Sequence, residues 1–375
     1  MVPWGIYVHI PFCPYKCAYC DFDSGVHPQE MVAAYVAALR EEIARAGADP
    51  LSVDTIYFGG GTPSLLDPDV LEGLLQTVRR TFAVCPEVEI TLEANPGTIT
   101  AEKARAFRAL GVNRVSLGAQ TFETGELRVL GRRHTVEQIG ESVALLRAAG
   151  MENLNLDLII GIPGQTLASW ERTMDRAFSL RPTHLSVYML EVHEGTPLAT
   201  QLAHGRMVEP DETLTVEMYY RFLERAEEEG YEQYEISNFC RPGFASRHNL
   251  KYWSDEPYLG FGCSAHSYDF RERRWNLATP QAYIAAMRER GEAVAGRIAM
   301  TERRRIEEAL MLGLRRRSGV NLSAFRERYG VEVLDLYGDQ LAPLDEAGLI
   351  EISGEWLRLT RRGVVLANEV FAVFV

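Results

Sequence analysis

The sequence predicts an α/β protein: a partial (β/α)6 barrel, followed by a smaller α+β, winged-helix-like C-terminal domain. Three observations support this prediction. Short apolar runs alternate with helical patterns of roughly ten to twenty residues, which is typical of a parallel βα array. Six such units fit before Pro197, too few for a closed eight-fold barrel. The chain then ends in helical segments and two short strand-like runs.

The predicted strands of the barrel are residues 6–12, 55–58, 88–93, 114–118, 154–160 and 184–191. The predicted helices between them are residues 31–46, 68–82, 101–110, 136–149 and 167–180. Gly111 and Gly150 each follow a periodic stretch, as expected at helix ends. Farther on we predict a helix at 212–229, a strand at 233–239, a glycine-rich aromatic loop at 241–270, and strands at 349–352 and 356–359. The predicted domains are residues 1–197 (barrel), 198–297 (extension) and 298–375 (accessory domain).

The composition is that of a globular protein with a sizeable core. Of 375 residues, 46% are hydrophobic and 24% charged, which excludes disorder and a disulfide-stapled miniprotein. A net charge of −13 argues against a nucleic-acid partner. The N-terminus lacks a basic leader with a cleavage site, and no run of 18 apolar residues occurs. We therefore expect a cytoplasmic protein without a transmembrane segment.

Three of the six cysteines crowd into the loop after the first predicted strand. Cys13, Cys17 and Cys20 form a C-x3-C-x2-C motif. Closely spaced thiolates hold iron–sulfur clusters, and three of them would leave one iron of a four-iron cube free for another ligand. The alternatives are a zinc site with a distant fourth ligand, or three unrelated thiols. The dense spacing favours the iron–sulfur cluster.

Polar or glycine motifs close four consecutive strands. G-G-G-T-P at 59–63 follows the second strand, Glu93 closes the third, Gln120 the fourth, and Asp157 lies in the fifth. In βα barrels the carboxyl ends of the strands build the active site. Each residue alone could be a helix cap or a solvated loop group. A single converging site would explain all four.

These motifs bear a family resemblance. C-x3-C-x2-C after the first strand of a βα array resembles the signature of the radical S-adenosylmethionine (SAM) superfamily. The resemblance implies a [4Fe–4S] cluster whose open iron binds SAM. Y-V-H-I-P-F-C at 7–13, L-G-A-Q-T-F at 117–122, L-G-R-R-H at 130–134 and D-L-I-I-G at 157–161 are similar to the oxygen-independent coproporphyrinogen III oxidases and their relatives. The similarity covers almost the whole chain.

The resemblance implies functional residues beyond the cysteines. The residues matching contacts of the cluster-bound SAM are Tyr7, Gly60 and Glu93. The residues matching positions around a second SAM site in the oxidase are Tyr19, Gly61, Thr62, Gln120, Arg132 and Asp157. Whether a second SAM binds here is left open.

Two features separate branches of this family. The oxidase has a further cysteine two residues after the third ligand, where this chain has Phe22. Conversely, H-N-L-K-Y-W at 248–253 resembles the motif of the HemW branch, the haem chaperones. The resemblance implies His248 as a haem ligand, with Tyr252 and Trp253 as flat apolar surface. The structural alternative is an exposed His248 beside aromatics that pack a loop onto the barrel.

The predicted function is accordingly a haem chaperone that binds haem and delivers it to recipient, respiratory haem proteins. The alternative is an oxygen-independent coproporphyrinogen III oxidase, which the absent cysteine disfavours. A third hypothesis is a radical-SAM enzyme with an unrelated substrate. The resemblance further implies peripheral membrane association and a homodimer, whereas the sequence identifies no electron donor.

Overall fold

The computed structural model describes residues 2–47 and 51–374. Its centre is a run of six parallel strands in sequential order. These strands are β1 (Trp4–Ile10), β2 (Ser52–Gly60), β3 (Ala83–Ala94), β4 (Arg114–Gln120), β5 (Asn153–Ile160) and β6 (His184–Met189). The helices that connect them are α1 (Gln29–Arg45), α2 (Pro68–Thr81), α3 (Ala101–Ala109), α4 (Thr124–Val129), α5 (Val136–Ala148) and α6 (Leu167–Ser179). The predicted six βα units are thus confirmed.

Local sequence explains where the helices begin and end. The hydroxyl oxygens of Thr100, Thr135 and Thr166 accept hydrogen bonds from the third backbone N–H of α3, α5 and α6, respectively. Gly111 and Gly150 follow α3 and α5 with φ values of +100° and +80°, which glycine adopts without the strain a Cβ would cause. These caps fix the points at which the chain turns back into the next strand.

The core lies on both faces of the parallel strands. All seven residues of β4 are buried, as expected for a strand that is covered on both sides. Trp170 on α6 is fully buried, and its indole Nε1 donates to the Met218 carbonyl at 3.0 Å. The indole thereby fixes α6 against the next long helix.

The middle of the chain extends the sheet at both edges. Its elements are α7 (Pro197–Ala203), α8 (Glu212–Glu228), β7 (Glu232–Glu235), β8 (Asn238–Cys240), α9 (Arg247–Trp253), β9 (Tyr258–Phe261), β10 (His266–Tyr268), β11 (Glu272–Asn276), α10 (Pro280–Arg290) and β12 (Val294–Ala299). The resulting order of twelve strands is β12-β11-β10-β9-β1-β2-β3-β4-β5-β6-β8-β7. β9 runs parallel to β1, and β8 runs antiparallel to β6. Strands from the extension therefore pair with both edges of the barrel.

The predicted loop at 241–270 is wrong, because this segment contains α9, β9 and β10. The Ser246 hydroxyl accepts a hydrogen bond from the Asn249 N–H and so starts a seven-residue helix that is too short to show a clear periodicity. β9 has four residues and forms by pairing with β1, far away in sequence. Neither element has a strong local pattern.

The C-terminal domain consists of α11 (Glu302–Arg315), β13 (Val320–Asn321), α12 (Leu322–Tyr329), α13 (Val333–Glu346), β14 (Ile350–Ser353), β15 (Trp356–Leu359), α14 (Arg361–Val365) and α15 (Ala367–Phe371). Its three strands form an antiparallel sheet in the order β13-β15-β14. A helix, a strand, two helices and a two-stranded wing follow one another as in a winged helix, which agrees with the prediction. Within residues 2–47 and 51–374, no helix has both the length and the apolar character needed to cross a bilayer.

Candidate functional site

The three-cysteine loop follows β1 at the carboxyl end of the barrel. Backbone hydrogen bonds hold it, from the Cys13 N–H to the Gly25 carbonyl and from the Ala18 N–H to the Leu130 carbonyl, both at 2.9 Å. Cys13, Cys17 and Cys20 are free thiols of intermediate burial. Burial raises the pKa of the Cys13 and Cys20 thiols above the ordinary value. A bound cation would therefore stabilise thiolates that the apoprotein disfavours.

The glycine motif after β2 passes directly beneath this loop. The Gly61 N–H donates to the Ile10 carbonyl, and the Thr62 N–H donates to the Phe12 carbonyl, each at 2.8 Å. A Cβ atom at Gly61 would lie 2.7 Å from the Phe12 carbonyl oxygen and 3.0 Å from the Cys13 sulphur. Only glycine fits at position 61 without displacing the cysteine loop.

A hydrogen-bond chain connects two of the cysteines through the barrel wall. The Arg132 guanidinium donates to the Cys17 sulphur at 3.5 Å and to the Asn95 Oδ1 at 2.5 Å. The Asn95 amide donates to the Thr62 hydroxyl at 2.7 Å, which in turn lies 3.5 Å from the Cys13 sulphur. Arg132 therefore brings a buried positive charge to this side of the cavity, where it lowers the pKa of the Cys13 thiol against the effect of burial.

Glu93 stands at the end of β3 with both carboxyl oxygens engaged. Oε1 accepts a hydrogen bond from the Tyr57 hydroxyl at 2.8 Å, and Oε2 accepts one from the Gly60 N–H at 3.0 Å. Burial, reinforced by the negative charge of Asp157, raises the pKa of Glu93 to about 7 although these hydrogen bonds oppose the shift. This carboxyl group is poised to exchange a proton or to pair with a cationic ligand near neutral pH.

Asp157 lies deeper in the barrel, on β5. Its carboxylate accepts hydrogen bonds from the Ser116 hydroxyl at 3.1 Å and from the Asn155 amide at 2.8 Å. Burial raises the pKa of Asp157, and the hydrogen bonds and the nearby Arg114 charge lower it in part.

Gln120, at the end of β4, has an unusual backbone conformation. Its φ of +66° is rare for a residue other than glycine and is typical of functional sites.

One cavity of about 610 Å³ collects most of these side chains, a volume suited to a small-molecule cofactor. The predicted site residues that line it are Cys13, Cys17, Tyr19, Cys20, Gly60, Gly61, Glu93, Gln120, Arg132 and Asp157. Lining residues that the sequence did not reveal are Tyr57, Arg114, Ser116, Asn155 and Tyr188. The sequence does contain one sign of these residues, because each is a polar side chain within a mostly apolar strand.

Tyr7 and Thr62 lie just behind the cavity wall. The Tyr7 ring stacks on Tyr57 at 6.1 Å between centroids, and its hydroxyl lies 3.0 Å from His9 Nδ1. Thr62 is 1% exposed and acts through its contacts with Cys13 and Asn95. Both residues support groups that line the cavity.

His248 lies between the barrel wall and the extension, with 1% of its surface exposed. Its Nδ1 lies 2.8 Å from the Thr55 hydroxyl and its Nε2 lies 2.9 Å from the Tyr252 hydroxyl. Its ring stacks on Tyr57 at 5.2 Å. Burial, with the nearby Lys251 charge, lowers its pKa to about 3. The predicted alternative of an exposed histidine is therefore wrong, and iron coordination by His248 would require one of its two hydrogen bonds to break.

The donor set at the barrel mouth fits an iron–sulfur cluster. Three thiols surround an open volume, glycine removes a side chain beneath them, and a guanidinium donates to one sulphur. Among the described residues, no three His, Cys, Asp or Glu side chains converge to share a single metal ion. A cube-shaped cluster does not need such convergence, because each thiolate binds a different iron atom.

Comparison with known proteins places this chain in a family. Residues 7–177 match the Radical SAM superfamily, and residues 300–366 match the HemN C-terminal domain. Heme chaperone HemW of Bacillus subtilis (strain 168) is 39% identical over 373 residues, covering 98% of each chain. Heme chaperone HemW of Lactococcus lactis subsp. lactis (strain IL1403) is 35% identical over 372 residues, covering 99% of this chain and 97% of the relative.

A solved structure agrees with these matches. Coproporphyrinogen III oxidase (HemN) from Escherichia coli, a radical SAM enzyme, superposes with a TM-score of 0.88 at 26% identity, covering 100% of this chain and 90% of that one. The α/β fold with its separate C-terminal domain and the predicted family resemblance are both confirmed. The chain belongs to the HemW family of the radical SAM superfamily.

Proposed function

We propose that the protein is a haem chaperone that holds a [4Fe–4S] cluster and SAM in its barrel cavity, binds haem and transfers it to haem-dependent, respiratory proteins. The observation that carries this proposal is the full-length similarity to proteins named heme chaperone HemW. Phe22 adds to it, because this side chain is 62% exposed where the oxidase would have a further cysteine. We place the protein in the cytoplasm, with its recipients at the membrane surface.

In this proposal Cys13, Cys17 and Cys20 would hold the cluster, which when bound would supply one-electron chemistry next to the SAM molecule. Gly61 lets the chain pass close to Phe12 and Cys13, so that the Cys13 sulphur keeps its place in the loop. Arg132 donates to the Cys17 sulphur and balances part of the negative charge of three thiolates. These residues would hold the cluster at the mouth of the cavity.

The SAM molecule would occupy the cavity beside Glu93. An ionised Glu93 accepts hydrogen bonds and would attract the positively charged amino group of SAM, while the Gly60 N–H and the Tyr57 hydroxyl fix the carboxylate. Gln120, Tyr19 and Asp157 line the remaining depth of the cavity and would contact further polar groups of the ligand.

An oxidative decarboxylase acting on coproporphyrinogen III is the second candidate. The observation that favours it is the fold, which follows that of the oxidase from Escherichia coli over the entire chain. Both functions require a tetrapyrrole, so tetrapyrrole binding alone does not separate them. The two candidate functions are instead distinguished by their activities, which are haem transfer for the chaperone and propionate decarboxylation for the oxidase.

The cluster is tested with anaerobically reconstituted protein. Replacing Cys13, Cys17 and Cys20 together by alanine should remove the visible absorbance and the bound iron and sulfide. Cys85→Ala is the matched control, because Cys85 lies on β3 outside the cavity. Full iron content in the triple variant would refute the cluster assignment.

The function is tested by loading the reconstituted protein with haem and adding the haem-free form of a respiratory haem protein. We expect stoichiometric haem binding followed by reconstitution of the acceptor. The same preparation is supplied with coproporphyrinogen III, SAM and a reductant. Vinyl products together with a failure to load the acceptor would overturn the chaperone in favour of the oxidase.

A further inference from the structure

The inside of the barrel is polar at a depth that bulky apolar side chains usually fill. Alternate residues of β4 line the cavity of about 610 Å³ that opens at the three cysteines, here called the cluster cavity, and these residues are Arg114, Ser116, Gly118 and Gln120. Glu93 is paired in register with Ser116, so the backbone of Arg114 lies two residues, or about 7 Å, farther from the mouth. Arg114 therefore marks the floor of the cluster cavity.

Helix α9 closes the barrel on the side of this floor. The Glu89 carboxylate of β3 accepts hydrogen bonds from the N–H groups of Arg247 and His248, each at 3.1 Å. Asn249, the next residue of α9, lines the cluster cavity. The mouth of the cavity lies on the opposite side, at the cysteine loop, so a ligand would reach Arg114 from there.

Arg114 is a buried cation without a partner. It is 1% exposed, and its Nε is buried with no hydrogen-bond partner. Within the described part of the chain its guanidinium makes neither a hydrogen bond nor an ion pair. Thr91, the register partner of Arg114 on β3, is fully buried, and its hydroxyl also lacks a partner among the described residues. Buried polar groups of this kind destabilise a fold unless a ligand or water satisfies them.

The carboxylates near Arg114 are occupied by other donors. Both oxygens of Glu89 are used by the N–H groups of α9. Asp157 accepts from the Ser116 hydroxyl at 3.1 Å and from the Asn155 amide at 2.8 Å. Burial lowers the pKa of Arg114, but the charges around it, Glu89 foremost, raise it above the ordinary value, so the guanidinium stays ionised. An anion that pairs with it directly would have to come from a ligand.

We infer that the floor of the cluster cavity binds the carboxylate of a small monocarboxylic acid, and that Arg114 holds this carboxylate. The guanidinium fork matches a planar carboxylate through two parallel hydrogen bonds. One cation suits one negative charge, whereas the carboxyl groups of Glu93 and Asp157 would repel the second charge of a phosphate ester. Tyr57 and Tyr188 also line the cavity and offer flat apolar surface to the body of the acid. Tyr188 is 42% exposed, which leaves surface for such a ligand to cover.

This site goes beyond the proposed function, because neither the cluster nor haem requires an anion-binding group at the floor. An acid held by Arg114 would lie deeper in the barrel than the SAM molecule proposed beside Glu93. SAM carries a carboxylate of its own, which is the other source of the same chemistry. Titrations with and without SAM distinguish the two sources.

The test is calorimetric titration of the cluster-loaded protein with 3-phenylpropionate and with its uncharged amide, 3-phenylpropionamide. We expect the amide to bind the wild type about tenfold more weakly than the acid, both with and without SAM. Arg114→Gln should raise the Kd of the acid about tenfold and leave that of the amide unchanged. Arg114→Lys should lie between, because lysine keeps the charge and loses the fork. Arg105→Gln, a change of an exposed arginine on α3, is the matched control.

The two ligands can be compared on the wild type, so the inference is testable even if a variant at position 114 loses its cluster absorbance and does not fold. Failure of the acid to bind, or equal Kd values for acid and amide, overturns the inference. An acid Kd unchanged in a folded Arg114→Gln also overturns it. If the acid binds only without SAM, and Arg114→Gln weakens SAM and acid by the same factor, the carboxylate at the floor is that of SAM and the separate acid is refuted. Absence of haem binding would refute the proposed function and leave these titrations unaffected.

Discussion

The ionisation of Glu93 links the stability of the barrel to pH. Burial raises the pKa of this carboxyl group from an ordinary 4.5 to about 7. Since one pKa unit corresponds to about 1.4 kcal/mol, ionising Glu93 in the folded chain costs about 3 kcal/mol more than in the unfolded chain. Glu93 lines the cavity and is only partly buried, so this figure is an upper limit. The wild type should lose stability as pH rises from about 4.5 to 7, and the loss should level off above pH 7.

Replacing Glu93 by glutamine removes this titration. The free energy of unfolding of Glu93→Gln minus that of the wild type should rise by up to about 3 kcal/mol between pH 4.5 and pH 8. The measurement is urea unfolding of the cluster-free chain at several pH values, followed by tryptophan fluorescence. Glu351→Gln, a change of an exposed carboxyl on β14, serves as the control.

The outcome depends on how the difference in free energy of unfolding between Glu93→Gln and the wild type changes with pH. A difference between Glu93→Gln and wild type that stays constant from pH 4.5 to pH 8 would show that burial does not hold the proton on Glu93. A difference that falls over this interval would mean that the folded protein prefers the ionised carboxylate, as it would if a buried cation paired with Glu93. Either result refutes the reasoning.

Three other changes test the site and the packing. Gly61→Ala should lower the iron bound per chain, because the new Cβ would clash beside Cys13, whereas Gly140→Ala, with nothing within 4 Å of its Cβ, should keep it. Trp170→Ala should lower the free energy of unfolding by about 3–5 kcal/mol in urea titrations, since the indole is fully buried. Asp255→Asn should lower the free energy of unfolding by about 2 kcal/mol and speed proteolysis near residue 300. The reason is that this carboxylate binds two arginines and a tyrosine of the C-terminal domain. Unchanged proteolysis would refute this role.

The barrel was predictable because its signals are local. A parallel strand covered on both faces appears as an apolar run, so residues 154–160 were predicted within one residue of β5. The cysteines and the glycine motif were found from spacing within a few residues. The α9–β10 segment was missed because α9 is short and β9 pairs with β1, more than 200 residues earlier, as well as with β10.

The remaining site residues depend on contacts that one sequence does not show. Tyr57 resembles any aromatic strand residue until β2 and β3 pair and bring its hydroxyl to Glu93. Arg114 resembles the start of an ordinary strand, yet it is 1% exposed and lines the cavity. For His248 the motif was visible in the sequence, whereas the burial of its ring depends on packing among β2, α9 and the extension.

The stack of His248 on Tyr57 connects the wall of the cluster cavity to the buried side of α9. The Tyr57 hydroxyl donates to Glu93, and His248 Nε2 lies 2.9 Å from the Tyr252 hydroxyl. A ligand that tilts Tyr57 thus changes the surroundings of Tyr252. Thermodynamic linkage requires the effect to be mutual: if a ligand in the cluster cavity favours one packing of α9, that packing must favour the ligand by the same factor. The cluster cavity can therefore be coupled to α9 without any domain movement.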